Sequence, residues 1–424
     1  MPRRGRTYNN LTLNAYWFGV SFMWNSIHPI VLPVLVLSLF REEIKNTALG
    51  VLTFVGLMVA LVVQPLSGAL SDLTRHRMGS RRPWILLGTL LDVVWLFTIA
   101  LAKSWWAVAI GYLLLQCSSN LAHGPAQGLI PDMVPKSKRG IASGIKVLID
   151  MSGVMLAAVV VGRLMSGESP RPLLPVVVIV GVLLVSMTVT LVGVRESPSR
   201  AAQPSDVRPM LDRLRAAFAV DVSGQRDYAR LLLSRFCMLL GTYSVQSFGF
   251  YYLRDVFPLE DPARMVGNVM AVIAVSITVA AYPAGALSEH WGRKRVTLIA
   301  CTVVGLSMAL LSITRNLTWL WVLGCFIGLG MGMFSSVNWA WATDLVPASE
   351  AGKYLGLSNL ATAGSAAASR LLGPFVDLIN ARVPSGGYVM LFALAAVAAL
   401  ICLIVTLTIP ETRQPPGALQ PTGG

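Results

Sequence analysis

Lys146 and Asp150 stand four residues apart in an otherwise apolar run, GIKVLIDMSG at 144–153. On a helix such a pair shares one face. An acid beside a base can bind and release a proton when a solute or a proton breaks the pair. The same pair can also be purely structural, and the sequence leaves both readings open. Asp92, in LLGTLLDVVW, is a third charge in apolar surroundings, for which a structural role leads. Arg235 and Arg370 are two more charges of this kind.

A second set could hold a polar solute. Asn25 and His28 lie beside Pro29 and Pro33, which interrupt the hydrogen-bond ladder of their segment. Gln116, Asn120, His123 and Gln127 recur at helical spacing, and Gln64 is a further amide. Later come Tyr243 and Gln246, then Asn338, Trp339 and Trp341, then Asn359 and Arg370. Aromatic faces with amide partners suit a neutral polyhydroxyl ligand. Tryptophans also anchor at membrane interfaces, and buried amides also join helices, so each residue alone favours a structural role.

A third set is charged and repeated. SGALSDLTRHRMGSRRPWILLG (67–88) carries Gly68, Asp72, Arg75, Arg81 and Arg82, and AGALSEHWGRKRVTLIA (284–300) carries Gly285, Glu289, Arg293 and Arg295. Each acid lies one turn after a glycine, at the end of an apolar run, where it can meet the positive end of another helix. The expected partner of Asp72 is the stretch Gly352–Gly356, and that of Glu289 is Gly140–Gly144. Such a latch between halves would hold one side shut. The alternative is that these charges only fix topology.

The elements that must position these residues are membrane helices. The chain has 424 residues, of which 55% are hydrophobic and only 13% charged. Twelve apolar runs of spanning length are expected, at 12–39, 48–71, 84–102, 105–131, 141–166, 173–194, 229–254, 265–288, 296–314, 317–343, 354–377 and 387–409. Net charge is +14, which could signal nucleic acid, but its placement speaks for a membrane. Lys and Arg crowd alternate connectors, such as Arg75–Arg82, Lys136–Arg139 and Arg293–Arg295. The positive-inside rule then puts both termini in the cytoplasm. No nucleic-acid partner is expected, and the partners are the bilayer, a small solute and protons or another cation. The chain is expected to act as a monomer in the inner or plasma membrane, with an uncleaved first helix.

The connector 195–228 is polar, rich in arginine and proline, and divides six spans (1–194) from six spans (229–424). It reads as a solvated linker, or as a short amphipathic surface helix. The halves repeat: GALSD at 68–72 returns as GALSE at 285–289, and DMVPKSKRGIASG at 132–144 as DLVPASEAGKYLG at 344–356. Gly324, Gly328 and Gly332 are expected to allow close helix packing in span 10. The five cysteines lie in apolar runs without CxxC spacing and read as small apolar filler. No metal or cofactor is expected.

Two six-helix halves in parallel repeat resemble the major facilitator superfamily, whose fold the chain is expected to share. QPLSGALSDLTRHRMGSRRPWILLG (64–88) resembles a signature of the sucrose/proton symporters and the wider glycoside–pentoside–hexuronide symporter group. NLAHGPAQGLIPDMVP (120–135) is similar to their fourth span, and FGVSFMW (18–24), more weakly, to their first. The resemblance implies an alternating-access transporter. Where those relatives carry coupling acids or a sugar-linked arginine, this chain has Ala60, Gln64, Gln116 and Gln127, so solute and ion stay open.

Three functions compete. The favoured one is a secondary transporter of a polar solute, a sugar or glycoside, coupled to protons. A second is an exporter of drugs or other amphiphilic solutes, or a uniporter. A membrane enzyme or receptor is the third and weakest, since the sequence has no HExxH, GxSxG or GxxxxGK[ST] motif.

Overall fold

The structure is a computed structural model that describes residues 9–135, 138–167, 172–196, 226–345 and 351–411, without side chains over 351–356. Hydrocarbon offers peptide groups no water, so apolar spans must close their hydrogen bonds internally as helices. The described helices are α1 (Asn10–Ser26), α2 (Leu32–Leu39), α3 (Lys45–Leu73), α4 (Arg82–Ala100), α5 (Trp105–Met133), α6 (Arg139–Leu164) and α7 (Leu173–Gly193). They continue with α8 (Arg226–Val256), α9 (Pro262–Trp291), α10 (Arg293–Ile313), α11 (Leu317–Leu345), α12 (Ala351–Arg370), α13 (Gly373–Asn380) and α14 (Gly386–Leu407). The chain is an all-α polytopic membrane protein.

A π-helical turn, Ile27–Val31, joins α1 to α2 where Pro29 and Pro33 disturb the ladder, and it carries His28. Span 11 needs correction. The expected single run 354–377 is two helices, α12 and α13, separated by a turn at Leu371–Leu372. Pro374 explains the restart, because a proline costs nothing in the first helical turn. Arg370 therefore sits at a helix C-terminus, where a cation is favoured.

Among the described residues, nine helical segments are long and apolar enough to cross a membrane. The helices α5, α8 and α12 fall outside that set, and much of the polar candidate set is concentrated on them.

The helices form two compact units. The first holds α1–α7 with residues 259–271 at the start of α9, and the second holds α8, the rest of α9 and α10–α14. In the first unit α1 packs on α6 and α7, while α3 and α4 pack on α5. In the second, α8 packs on α12 and α14, and α10 on α11 and α14. A Cβ on Gly328 or Gly332 would collide with the Ile273 or Ile277 carbonyl, so this stripe of α11 lies directly against α9. Most of the linker, 197–225, lies outside the described residues.

Candidate functional site

The polar residues of the first unit gather where α1 and its π turn meet α5 and α6. On α5, Tyr112, Gln116, Asn120 and His123 follow one another at helical spacing. Gln116 Nε2 donates to the Tyr112 hydroxyl at 2.7 Å, which leaves the phenol hydrogen for His28 Nε2, 2.9 Å away. Asn120 Nδ2 donates to the Gln116 carbonyl at 2.8 Å, and the Ser67 hydroxyl of α3 donates to the Asn120 carbonyl at 3.0 Å. Trp24 stacks on His28 with centroids 4.8 Å apart, and its indole N–H donates to Ser119 at 3.2 Å. Asn25 is half-buried and donates back to the Ser21 carbonyl.

The charged pair adjoins this line. Lys146 Nζ lies 2.7 Å from Asp150 Oδ2, with side chains 27% and 19% exposed. The Ser21 hydroxyl donates to Asp150 Oδ1 at 2.9 Å, tying the acid to α1. Lys146 also sits 3.9 Å above the Trp17 ring, a cation–π contact, and the same ring meets His123 edge-on at 4.7 Å. An amide line, three aromatic rings and one ion pair thus meet where α1, α5 and α6 come together. Tyr112, Trp17, Gln116 and Asn120 are buried, whereas Trp24, His28, His123, Lys146 and Asp150 are half-buried and form the accessible part of the cluster.

The other candidates of this unit lie apart from it. Asp92 is fully buried, accepts from Ser118 and stands near Tyr16, whose hydroxyl accepts from Thr89. That is a brace joining α1, α4 and α5. Gln64 is half-buried on α3, and Gln127 is exposed near the end of α5.

The second unit gathers its polar groups around Arg235 of α8. Its Nε donates to Thr362 Oγ1 at 3.0 Å and its Nη1 to Asn338 Oδ1 at 2.9 Å, which links α8 to α12 and α11. The Trp339 ring lies 5.7 Å from the guanidinium carbon. Tyr243, about two turns further along α8, lies within electrostatic reach of both Arg235 and Arg370. Arg370 donates to the Ala366 carbonyl. Gln246 and Asn359 are exposed, whereas Trp341 is buried against Tyr228 and Leu231. Arg235 is partly buried, and its two hydrogen bonds offset the cost of taking a guanidinium out of water.

The repeated charged connectors form matching clusters. Arg81, 9% exposed, pairs with Asp72 and Asp132, the latter at 3.0 Å, and donates to Gly68 O and Ser71. Arg293 does the same with Glu289 at 3.8 Å, Asp344 at 3.1 Å and Ser288. The Glu196 carboxylate accepts from the amides of Ser80, Arg81 and Arg82 and so caps α4, while Glu411 accepts from those of Arg293 and Lys294 and caps α10. Gly79 at φ +103° and Gly292 at φ +95° turn the chain so that these acids fit. Arg82 reaches the Leu191 carbonyl, Arg75 and Arg295 are exposed, and Gly285 approaches Ser336. The side chains of Gly352–Gly356, the expected partner of Asp72, lie outside the described residues, and Asp72 is engaged by Arg81 of its own unit.

Sequence reasoning missed several members. Tyr112 continues the Gln116–Asn120 line one turn back, and Trp17, Ser21 and Trp24 share the face of Asn25 and His28, so helical spacing carried that signal. Asp132 and Asp344 stand in the repeated D-x-V-P segments, where their place in the repeat was visible but their arginine partners were not. Glu196 and Glu411 gave no signal before the fold joined distant segments.

Comparison with known proteins agrees with this architecture. The profile of the Major Facilitator Superfamily matches residues 15–369 and 261–424. An arabinose–proton symporter of Bacillus subtilis is 25% identical over 169 residues, which is 38% of this chain and 35% of that protein. The curated relatives are each matched over about a third of their length or less, at 35%, 18% and 22%. Crystal structures of the nucleoside transporter NupG and of a D-xylose–proton symporter share the fold. The first has a TM-score of 0.71 at 16% identity, covering 94% of this chain and 99% of that one. The second has a TM-score of 0.70 at 17% identity, covering 95% of this chain and 98% of that one. Fold and family are those of membrane transporters rather than of enzymes, and the chain belongs to the Major Facilitator Superfamily.

Proposed function

We propose that the chain is a secondary transporter of a polyhydroxylated solute, a sugar or glycoside, working by alternating access with proton coupling at Asp150. The observation that carries this reading is the continuous line His28–Tyr112–Gln116–Asn120 beside the Lys146–Asp150 pair. The line offers hydroxyl-sized hydrogen-bond partners and aromatic faces. The pair offers a carboxylate whose charge can be neutralised by a lysine or by a proton. The matched stretch of the arabinose–proton symporter supports both halves of the proposal. So does the likeness of residues 64–88 and 120–135 to the sucrose/proton and glycoside–pentoside–hexuronide symporters.

In this reading residues 1–194 and 229–424 form the two moving halves, joined by a cytoplasmic linker, with both termini in the cytoplasm. Asp72 and Glu289 help to close the cytoplasmic side. The test is uptake into proteoliposomes of the purified protein with an imposed inward proton gradient, across labelled pentoses, hexoses and disaccharides. Gradient-driven accumulation of at least one of them is expected. Equal uptake with and without the gradient, for every sugar, would sink the coupling.

A further inference from the structure

The start of α10 carries three basic residues in a row, Arg293, Lys294 and Arg295. Two of them are engaged. Arg293 holds Glu289 and Asp344, and Lys294 Nζ donates to the Leu407 carbonyl at 2.6 Å, at the end of α14. Arg295 is exposed and makes no hydrogen bond or ion pair among the described residues. Together with Trp291, Leu298 and Ile299 it lines an open cavity of about 510 Å³.

The lining of this cavity is ordered by depth. Ile299 lies one helical turn beyond Arg295, ~6 Å further along α10, so the cation sits at the end of the span and the apolar wall inside it. Trp291, the last residue of α9, is 51% exposed and shares the cavity with the cation. An amphipathic indole suits the level of the lipid headgroups. The internal repeat shows that the fold does not demand this cation. Counting from Arg81 and Arg293, Pro83 stands where the second unit has Arg295, while Leu86 and Leu87 match Leu298 and Ile299. The apolar wall is common to both units, and the cation belongs to the second alone.

We infer that this cavity binds an anionic phospholipid, with the lipid phosphate on the Arg295 guanidinium and an acyl chain along Leu298 and Ile299. A guanidinium presents paired N–H donors in one plane, which match two phosphate oxygens. One basic side chain at a membrane surface favours anionic lipid by about fivefold. A zwitterionic lipid brings an ammonium group together with its phosphate, and the cation repels it. A free phosphate has no chain to cover the apolar wall. The site needs no transported solute, so it stands whatever the chain carries.

The experiment reads the quenching of tryptophan fluorescence by lipids with brominated acyl chains, on the full-length protein in phosphatidylcholine vesicles. Brominated phosphatidylglycerol is compared with brominated phosphatidylcholine and phosphatidylethanolamine. The chain has 11 tryptophans, so W291F is made in each background and the difference isolates the signal of Trp291. That signal should show phosphatidylglycerol preferred over phosphatidylcholine by about fivefold. R295Q should remove the preference. R295K keeps the charge without the planar fork, so it should retain part of the preference and shows that the R295Q effect is not misfolding. R75Q, which removes an exposed arginine from the first unit, should leave the preference unchanged. No preference in the wild type, an unchanged preference in R295Q or an equal loss in R75Q would overturn the site. Phosphatidylethanolamine preferred as strongly as phosphatidylglycerol would overturn the selection for anionic lipid. Displacement of phosphatidylglycerol by inorganic phosphate at matched ionic strength would overturn the lipid as occupant and leave a phosphate site.

Discussion

Arg81 Nε and Asp132 Oδ2 lie 3.0 Å apart across 51 residues of sequence, and Arg293 Nε and Asp344 Oδ2 lie 3.1 Å apart across the same 51. The internal repeat is therefore a repeat of contacts. Each arginine is nearly buried while its acids are partly exposed, so the arginine is the member whose loss matters. Arg81→Ala leaves Asp72, Asp132 and Ser71 without their shared donor. A loss of about 1.5–3 kcal/mol is expected, since hydrogen bonds to charged groups fall in that range. Thermal unfolding of Arg81→Ala, Asp132→Ala and the double variant checks it. Additivity within about 0.3 kcal/mol would show that the pair does not couple.

Gly79→Ala should destabilise more than Gly167→Ala. Both positions have positive φ, at +103° and +106°, so both substitutions incur about 1–2 kcal/mol of backbone strain. Only at Gly79 does the added Cβ fall on the Glu196 carboxylate, whereas none of the described residues lies within 4 Å of it at Gly167. The Gly79 variant must also loosen the cap on α4, a further ~1 kcal/mol. Equal falls in melting temperature would mean that Glu196 moves aside freely.

Tyr112→Phe removes one oxygen from the polar line. Gln116 and His28 would each lose one hydrogen bond, while the ring would keep its packing. A disturbed binding surface in a folded protein predicts a KM for the transported sugar raised about tenfold, equivalent to about 1.4 kcal/mol. The melting temperature should fall by less than in Arg81→Ala. An unchanged KM would make Tyr112 a packing residue.

The spans were legible because hydropathy and helix length are local properties. Pro29 and Pro33 also announced an interrupted hydrogen-bond ladder, because a missing N–H is a local fact, although not that the interruption is a π turn. The break at Leu371–Leu372 was not announced: polar residues such as Asn359 and Arg370 are scattered through the run 354–377 without marking a turn, and Pro374 fits a helix start as well as a kink. The pairing of Lys146 with Asp150 followed from i,i+4 spacing. The partners of Asp72, Arg81 and Arg235 did not, because they lie on other helices and a single sequence carries no record of which helices touch. Glu196 illustrates the limit well, since its role depends on the end of α7 meeting the start of α4.

Orientation is tested by thiol labelling. Single cysteines replacing Arg75 and Glu43 would both be exposed, one in the connector after α3 and the other in the connector before it. With both termini in the cytoplasm, a membrane-impermeant reagent should label Glu43→Cys in intact cells. Arg75→Cys should label only after the cells are opened. Asn46, although close to Glu43, is fully buried and would be a poor reporter. Labelling of Arg75→Cys from outside would invert the proposed topology.

Coupling is the sharpest test, because Asp150 is the carboxylate at which the ion pair, the aromatic surface and α1 meet. Asp150→Asn keeps the size of the side chain and can still accept from Ser21, so the packing of α1 on α6 should survive. It loses the charge that Lys146 holds at 2.7 Å and the site that a proton would occupy. Exchange of solute down its own gradient needs only a cavity that opens alternately. Accumulation against a gradient needs a group that takes a proton on one side and releases it on the other. Asp150→Asn should therefore retain counterflow of labelled solute and lose proton-driven accumulation by about a hundredfold, the loss expected when a driving force of about 2.7 kcal/mol is uncoupled. Lys146→Ala should keep the carboxylate but alter the pH dependence of uptake, because the cation that competes with the proton is gone. If Asp150→Asn accumulates solute as the wild type does in vesicles with an imposed proton gradient, coupling through this pair is ruled out. Asp92, buried against Ser118, would then be the next carboxylate to replace.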